Sequence, residues 1–257
     1  MKQITSPDNA FYKELYKLST SARQRGKQGK TLLDGPHLLA AYMAGGKQPV
    51  HLLTNAAALE DVEIQALLQQ LPQVPLSQLA DALFAELSEL KTVSGLLALI
   101  DVPQSEVSLN NAHFALLLET VQDPGNLGSM LRSAAAAGCD HVFMSTGCAD
   151  AWSPRVLRAA MGGHFVLNVC EDADLQAVAR TFGGTIFATT LQAAPSIYAS
   201  AMRGNIAFAI GNEGSGLTQG LLDLCSPVTI PMPGRVESLN AAAAAAICLF
   251  EAVRQRQ

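Results

Sequence analysis

The chain has no long apolar run, no C-x-x-C pair, no dinucleotide or P-loop fingerprint and, from residue 107 onward, no lysine. Each absence removes a class of protein. The longest apolar candidate, Ala241 to Phe250, is about half of the ~20 residues that a membrane helix needs, so no membrane partner is expected. Met1 to Lys17 carries charges but no apolar core of a secretion signal, so no leader is expected. The five cysteines (Cys139, Cys148, Cys170, Cys225 and Cys248) are odd in number and scattered, which points to reduced thiols and a cytoplasmic location. His37, His51, His113, His141 and His164 never pair with His or Cys at ligand spacing, so no metal is expected. The net charge of −5 argues against binding nucleic acid through bulk charge.

What is present is a well-supplied core and two local biases. At 257 residues with 49% apolar content, the chain makes one large domain or two small ones. Lys13, Lys17, Arg23, Arg25, Lys27 and Lys30 fall in one short stretch with few acids. This is either a solvated helix face and loop or a surface for an anionic partner. From residue 107 onward every basic residue is arginine, whose fork holds phosphate in fixed geometry where lysine is a flexible point charge.

The pattern of elements divides the chain. Ser6 to Leu18 reads as a helix capped by Ser6 or Asp8, and Ser19 to Lys30 as a mobile polar loop. Short strands at Thr31–Leu33 and Val50–Thr54, helices at His37–Ala44 and Val62–Gln70, and an apolar strand at Leu96–Val102 make a small α/β unit over residues 1–105. Residues 106–112 are polar and read as a linker. A new alternation fills 113–257. Strands are expected at Phe114–Glu119, His141–Ser145, Phe165–Val169, Thr185–Thr189, Ile206–Ile210 and Val228–Ile230. Helices are expected at Gly128–Ala137, Val156–Met161, Ala173–Phe182 and Leu239–Arg256. Apolar strands alternating with helices predict a mostly parallel sheet covered on both faces.

Three turns carry the polar chemistry. Asp123-Pro124-Gly125-Asn126-Leu127-Gly128 follows a strand and opens a helix that carries Arg132, with Asn126 as a candidate cap. Gly211-Asn212-Glu213-Gly214-Ser215-Gly216 follows another strand; its glycines let a ligand approach the backbone, and Glu213 is either a structural acceptor or a catalytic group. Ile230-Pro231-Met232-Pro233-Gly234 runs through Arg235 to Ser238-Leu239-Asn240, where Ser238 or Asn240 caps an alanine-rich helix. Taken singly, each is explained as an ordinary turn with a cap.

Together, in this order and spacing, they resemble the three motifs of the SpoU (TrmH-like) RNA ribose 2′-O-methyltransferases of the SPOUT superfamily. Ser153-Pro154-Arg155-Val156-Leu157-Arg158-Ala159-Ala160-Met161-Gly162 resembles a further family segment, with Ala160 where serine is common. Asp34-Gly35-Pro36-His37-Leu38-Leu39 resembles a turn of the family's N-terminal substrate-binding domain, with Asp replacing Glu. The resemblance implies a C-terminal trefoil knot, a homodimer with its active site at the interface, and methyl transfer from S-adenosylmethionine to RNA. It implies cofactor contacts at Gly211, Ile230 and Leu239, with Thr189, Met232 and Asn240 nearby. Arg132 is the family's proposed base. Lowering a guanidinium by about five pKa units costs roughly 7 kcal/mol, so a protonated Arg132 clamping phosphate is the alternative. Asn126, Glu213, Ser238 and Asn240 would orient the reacting groups. Lys13, Lys17, Arg23, Arg25 and Arg158 are the expected RNA contacts. The two-part layout favours ribosomal RNA; a tRNA enzyme and a non-catalytic RNA-binding scaffold are the alternatives. A nucleotide-dependent oxidoreductase is disfavoured by the missing fingerprint.

Overall fold

The computed structural model describes residues 1–88, 93–103, 111–190 and 194–257. The expected linker at 106–112 lies mostly outside the described residues. The chain forms two compact units, one of residues 1–104 with 152–165 and the other of 105–151 with 166–257.

The first unit is a five-stranded mixed sheet in the order β1-β4-β3-β5-β2. Its strands are β1 (Lys2–Ile4), β2 (Lys30–Asp34), β3 (His51–Thr54), β4 (Leu76–Leu79) and β5 (Leu96–Asp101). Its helices are α1 (Ala10–Thr20), α2 (Ala22–Gln28), α3 (Pro36–Ala44), α4 (Val62–Gln70) and α5 (Asp81–Leu87). Leu15 and Leu18 of α1, Phe84 and Leu87 of α5, and Leu32, Leu53 and Leu97 of the sheet close one core.

Several expectations are corrected here. Asn9, not Ser6 or Asp8, caps α1, its Oδ1 accepting from the amides of Phe11 and Tyr12 at 3.0 and 3.2 Å. The stretch 19–30 is not a loop: Ser21 starts α2 and Gly29, at φ 62°, ends it. Arg25 is 6% exposed and donates to the Leu18 and Ser19 carbonyls at 2.6 and 3.2 Å. It satisfies the C-terminal end of α1, where a cation is favoured, so it is not on an exposed basic face. The segment Trp152–Phe165, expected in the second domain, packs in the first unit. It carries α7 (Pro154–Ala160), and the Thr31 hydroxyl donates to the Trp152 carbonyl at 2.7 Å. Phe165 meets Tyr42 edge-on at 5.2 Å. Arg158 is on this helix and therefore belongs to the first unit.

The second unit is built on six parallel strands in the order β11-β9-β10-β6-β7-β8. They are β6 (Phe114–Leu118), β7 (His141–Met144), β8 (Asn168–Cys170), β9 (Thr185–Thr189), β10 (Ile206–Ile210) and β11 (Ser226–Val228). The helices are α6 (Pro124–Ala137), α8 (Leu175–Thr181), α9 (Gln219–Leu222) and α10 (Ala241–Arg256). Ala115, Leu117, Ala207 and Ala209 face a core shared with Leu175, Val178 and Leu221. The alternate residues Phe114, Leu116, Leu118, Phe208 and Ile210 are equally buried on the other face. There α10 packs on β10 and along α6. Both helices carry alanine runs, so their backbones approach closely with Ala134 and Ala245 fully buried. This α/β arrangement is consistent with the knotted fold that the resemblance implies. Among the described residues, no helix is long and apolar enough to cross a membrane.

The C-terminal end of α10 is fastened by one carboxylate. Glu251, 6% exposed, accepts from Arg254 Nε and Nη2 at 2.8 Å each and from Gln255 Nε2 at 2.7 Å. Gln255 in turn accepts from the Met202 amide at 2.9 Å and donates to the Ser200 carbonyl at 3.0 Å. The Arg254 and Gln255 hydrogen bonds hold the Glu251 carboxyl down at about 2. Glu251→Gln is expected to cost about 1–2 kcal/mol at neutral pH, since Arg254 is solvated. The folded-state acidity lies below the unfolded value of about 4.3. The wild-type advantage is therefore full above about pH 5 and fades as the pH falls towards 2. Thermal melts of both proteins across this range test it; an advantage undiminished at pH 3 would contradict the assignment.

Candidate active site

The C-terminal edge of the parallel sheet is where an α/β domain gathers its ligand-binding turns. Here the ends of four neighbouring strands, β11, β9, β10 and β6, lead into residues 229–230, 190, 211 and 119–120.

The turn after β10 is locked to the end of β6. Glu119 accepts from the Thr218 amide at 2.7 Å and from its hydroxyl at 2.8 Å. Asn212 donates to the Thr120 carbonyl at 2.9 Å, while its Oδ1 accepts from the amides of Gly214 and Ser215 at 2.9 and 3.1 Å. Asn212 and Gly216 also exchange two backbone hydrogen bonds, at 3.1 and 2.9 Å. The fold of this turn leaves no room at Gly211, where a Cβ would overlap the Gly216 carbonyl and the Leu217 nitrogen. Thr120 is held at φ 51°, a left-handed conformation unfavourable for a β-branched residue. Its amide donates to Ser145 Oγ at 2.9 Å, so both of its backbone polar groups are bonded. Glu119, Thr120 and Asn212 were not picked out from sequence. The placement of an asparagine just after the strand, within the glycine-rich run Gly211–Gly216, was the available signal for Asn212.

The turn after β6 starts a helix earlier than expected. Asp123, not Asn126, caps α6, its Oδ1 accepting from the Asn126 amide at 2.7 Å, and Pro124 occupies the first helical position. The Asn126 side chain is thereby released for another task. Its Nδ2 donates to Glu213 Oε1 at 2.9 Å, and its Oδ1 accepts from Asn240 Nδ2 at 2.9 Å. Asn240 is the cap of α10, its Oδ1 accepting from Ala242 and Ala243 at 2.9 and 3.2 Å.

This chain of bonds has one polarity. The helix amides can only donate, so Asn240 must offer them its oxygen and turn its amino group to Asn126. Asn126 must then accept with its oxygen and donate onward, which leaves Glu213 Oε1 as the acceptor at the end of the chain. Residues from all three turns are joined in this way.

Two expected residues stand outside the relay. Arg132 is exposed and makes no hydrogen bond or ion pair among the described residues. Six residues along a helix turn through ~600°, about 240° from the start, so Arg132 does not share a face with Asn126. Ser238 is likewise exposed and makes no hydrogen bond among the described residues. Thr189 ends β9, paired in register with Val228 of β11. Ile230, Met232 and Leu239 lie on the partly or fully exposed segment 230–239, whose backbone N–H and C=O groups find no hydrogen-bond partner among the described residues. A ligand that binds through backbone groups fits such a segment. Among the described residues, no group of three or more His, Cys, Asp or Glu could hold a metal ion.

The family model described as "SpoU rRNA Methylase family" matches residues 113–250, which contain all three turns. The chain belongs to the SpoU rRNA methylase family. It is 32% identical over 254 residues to the 23S rRNA (guanosine(2553)-2′-O)-methyltransferase RlmP of Bacillus subtilis, covering 97% of this chain and 98% of that one. A crystal structure of an RNA 2′-O ribose methyltransferase superposes with a TM-score of 0.85 at 30% identity, covering 99% of both chains. The SpoU methyltransferase AviRb of Streptomyces viridochromogenes, in complex with AdoMet, does so with a TM-score of 0.85 at 25% identity, over 96% of this chain and 99% of that one.

Two substitutions separate the parts of this site. Gly211→Ala forces the turn apart, at a cost of about 1–3 kcal/mol for overpacking. It is expected to weaken S-adenosylmethionine binding by about ten-fold or more, measured by calorimetry; wild-type affinity would show that the turn does not shape the cofactor pocket. Asn240→Asp keeps the oxygen that caps α10 and removes the amide that donates to Asn126. Melting within ~2 °C of wild type, with kcat reduced about ten-fold or more, is expected if relay polarity matters to turnover. Unchanged kcat would make the relay purely structural.

Proposed function

We propose that this chain transfers a methyl group from S-adenosylmethionine to a ribose 2′-OH of ribosomal RNA. The observation that carries the reading is the relay from Asn240 through Asn126 to Glu213, which joins the three family turns at the sheet's C-terminal edge. When bound, the cofactor supplies an electrophilic methyl on a sulfonium. Transfer would form the O–CH3 bond as the S–CH3 bond breaks, its electron pair staying on the sulfur and the hydroxyl proton passing to solvent water. Glu213, kept as an acceptor by the relay, orients a donor of the substrate or a guanidinium. Arg132 clamps the phosphate beside the reacting ribose and stabilises the oxygen as it gains charge. Ser238, at the end of the open segment, adds a hydroxyl to the same surface. Gly211 and the backbone of 230–239, with Thr189 behind them, form the cofactor cradle.

The working unit in this reading is a homodimer, with Arg132 of one protomer completing the site of the other. Its turn away from Asn126 on α6 supports this, as do Val236 and Leu239, exposed at 64% and 36%. A cytoplasmic location fits five cysteines that form no disulfide.

The test is methyl transfer from radiolabelled S-adenosylmethionine into total RNA from cells lacking the gene. Label should appear as a 2′-O-methylnucleoside in the ribosomal fraction. Arg132→Ala should lower kcat by about 100-fold or more, and Arg132→Lys should recover little. Mixed with Asn126→Ala protein, the Arg132→Ala enzyme should regain activity, since about half of random dimers would hold one intact site. No label in any RNA would favour a binding scaffold, and label in tRNA would overturn the substrate. No gain on mixing would place Arg132 in its own protomer's site.

A further inference from the structure

A second concave site lies in the first unit, on the face formed by α1 and α5. It has a volume of about 280 Å³ and is lined by Pro7, Tyr12, Lys13, Tyr16, Lys17 and Glu86. Helical spacing builds it: Tyr12 and Tyr16 are one turn apart on α1, and Lys13 and Lys17 form the adjacent row. The two tyrosine rings lie 6.5 Å apart at 34°, Tyr12 buried and Tyr16 45% exposed. The Tyr12 hydroxyl donates to Glu86 Oε2 at 2.6 Å, fixing the carboxylate at the rim, while Glu86 Oε1 has no partner among the described residues. Among the described residues, Lys17 makes no ion pair and Lys13 makes one, with the exposed Asp8 at 2.7 Å. Such a surface pair is worth little and exchanges readily for another anion.

We infer that this cavity is a reading pocket for one unpaired nucleobase of the RNA substrate, guanine in particular. The inference rests on the reading that the chain acts on RNA. An exposed aromatic ring flanked by two cations fits a base with phosphates on either side, since every base has a face that stacks. The carboxylate adds selectivity. Its open lone pairs accept from neighbouring N–H groups, and the Watson–Crick edge of guanine presents an imino N–H beside an amino group. Adenine and cytosine offer an amino group next to ring acceptors, which the carboxylate repels. The edge must be unpaired to enter, so the base comes from a loop, bulge or strand end. Tyr16 is thus a stacking platform, Glu86 a base-selecting acceptor, and Lys13 and Lys17 the backbone contacts. All four lie outside the methyl-transfer machinery.

The test measures filter binding of the full-length protein to ribosomal RNA transcripts, with thermal melts as a folding control. Tyr16→Ala should raise Kd about ten-fold or more, and Tyr16→Phe should stay within about two-fold because stacking survives. S-adenosylmethionine affinity and kcat at saturating RNA should not change in either. Glu86→Gln keeps an oxygen for the Tyr12 hydroxyl but turns one rim acceptor into a donor. It should erase any preference for the RNA heptamer UUUGUUU over UUUAUUU as competitor. A Kd unaffected by Tyr16→Ala, or a wild-type protein indifferent to the two heptamers, overturns the pocket. These readouts are independent of catalysis: binding that ignores Tyr16 while methyl transfer persists sinks only the pocket, and Tyr16-dependent binding without any methyl transfer sinks only the enzymatic reading.

Discussion

The second unit turns on the side-chain amide of Asn240. Its oxygen is committed to the first amides of α10, and that single commitment sets the direction of every hydrogen bond beyond it. A helix cap is ordinarily a local matter worth about 1 kcal/mol. Here it is also the fixed end of a chain that reaches Asn126, 114 residues away in sequence, and through it Glu213, a further 87 residues along. The start of the last helix and the placement of a site carboxylate as an acceptor are therefore one structural fact.

The rest of the site is held by backbone bonds within one turn and by the side chains of Glu119, Asn212 and Ser145. The turn at Gly211–Gly216 closes on its own backbone, and two groups from the end of β6 clamp it. The clamp uses Thr120 in a conformation costing about 1–3 kcal/mol, offset by hydrogen bonds at both its amide and its carbonyl. Strain placed there is consistent with a surface whose shape must be set before a ligand arrives. The open backbone of residues 230–239 complements this rigid turn: the turn is preformed, and the segment is irregular, with unspent donors and acceptors.

Much of the second unit's architecture could be read from sequence because its strands are buried on both faces. Phe114–Leu118 and Ile206–Ile210 are unbroken apolar runs, which parallel sheets demand and little else produces. The polar positions of the three turns were visible for a different reason, their joint order. Their connections were not. Asn126 looked like a cap because Asn before a helix normally is one, yet Asp123-Pro124 placed the cap three residues earlier. In the first unit the short elements were hidden. β1 buries one residue of three, and β4 alternates over only four. The polar stretch after α1 concealed a seven-residue helix whose one inward residue is an arginine. Composition marked Arg25 as a surface charge; only the unsatisfied carbonyls at the end of α1 explain its burial. Distance in sequence also hid the partnership of Tyr12 with Glu86.

The return of Trp152–Phe165 to the first unit means that the two units are interleaved rather than concatenated. The chain leaves the first unit, builds the first two strands of the second, comes back to lay α7 against β2, and departs again. A cut near the apparent linker would strip the first unit of the wall made by Val156, Leu157 and Ala160, all buried. The other fragment would inherit that same apolar helix with nothing to cover it. Neither piece is a module in its own right, so the two units must be made, folded and inherited together.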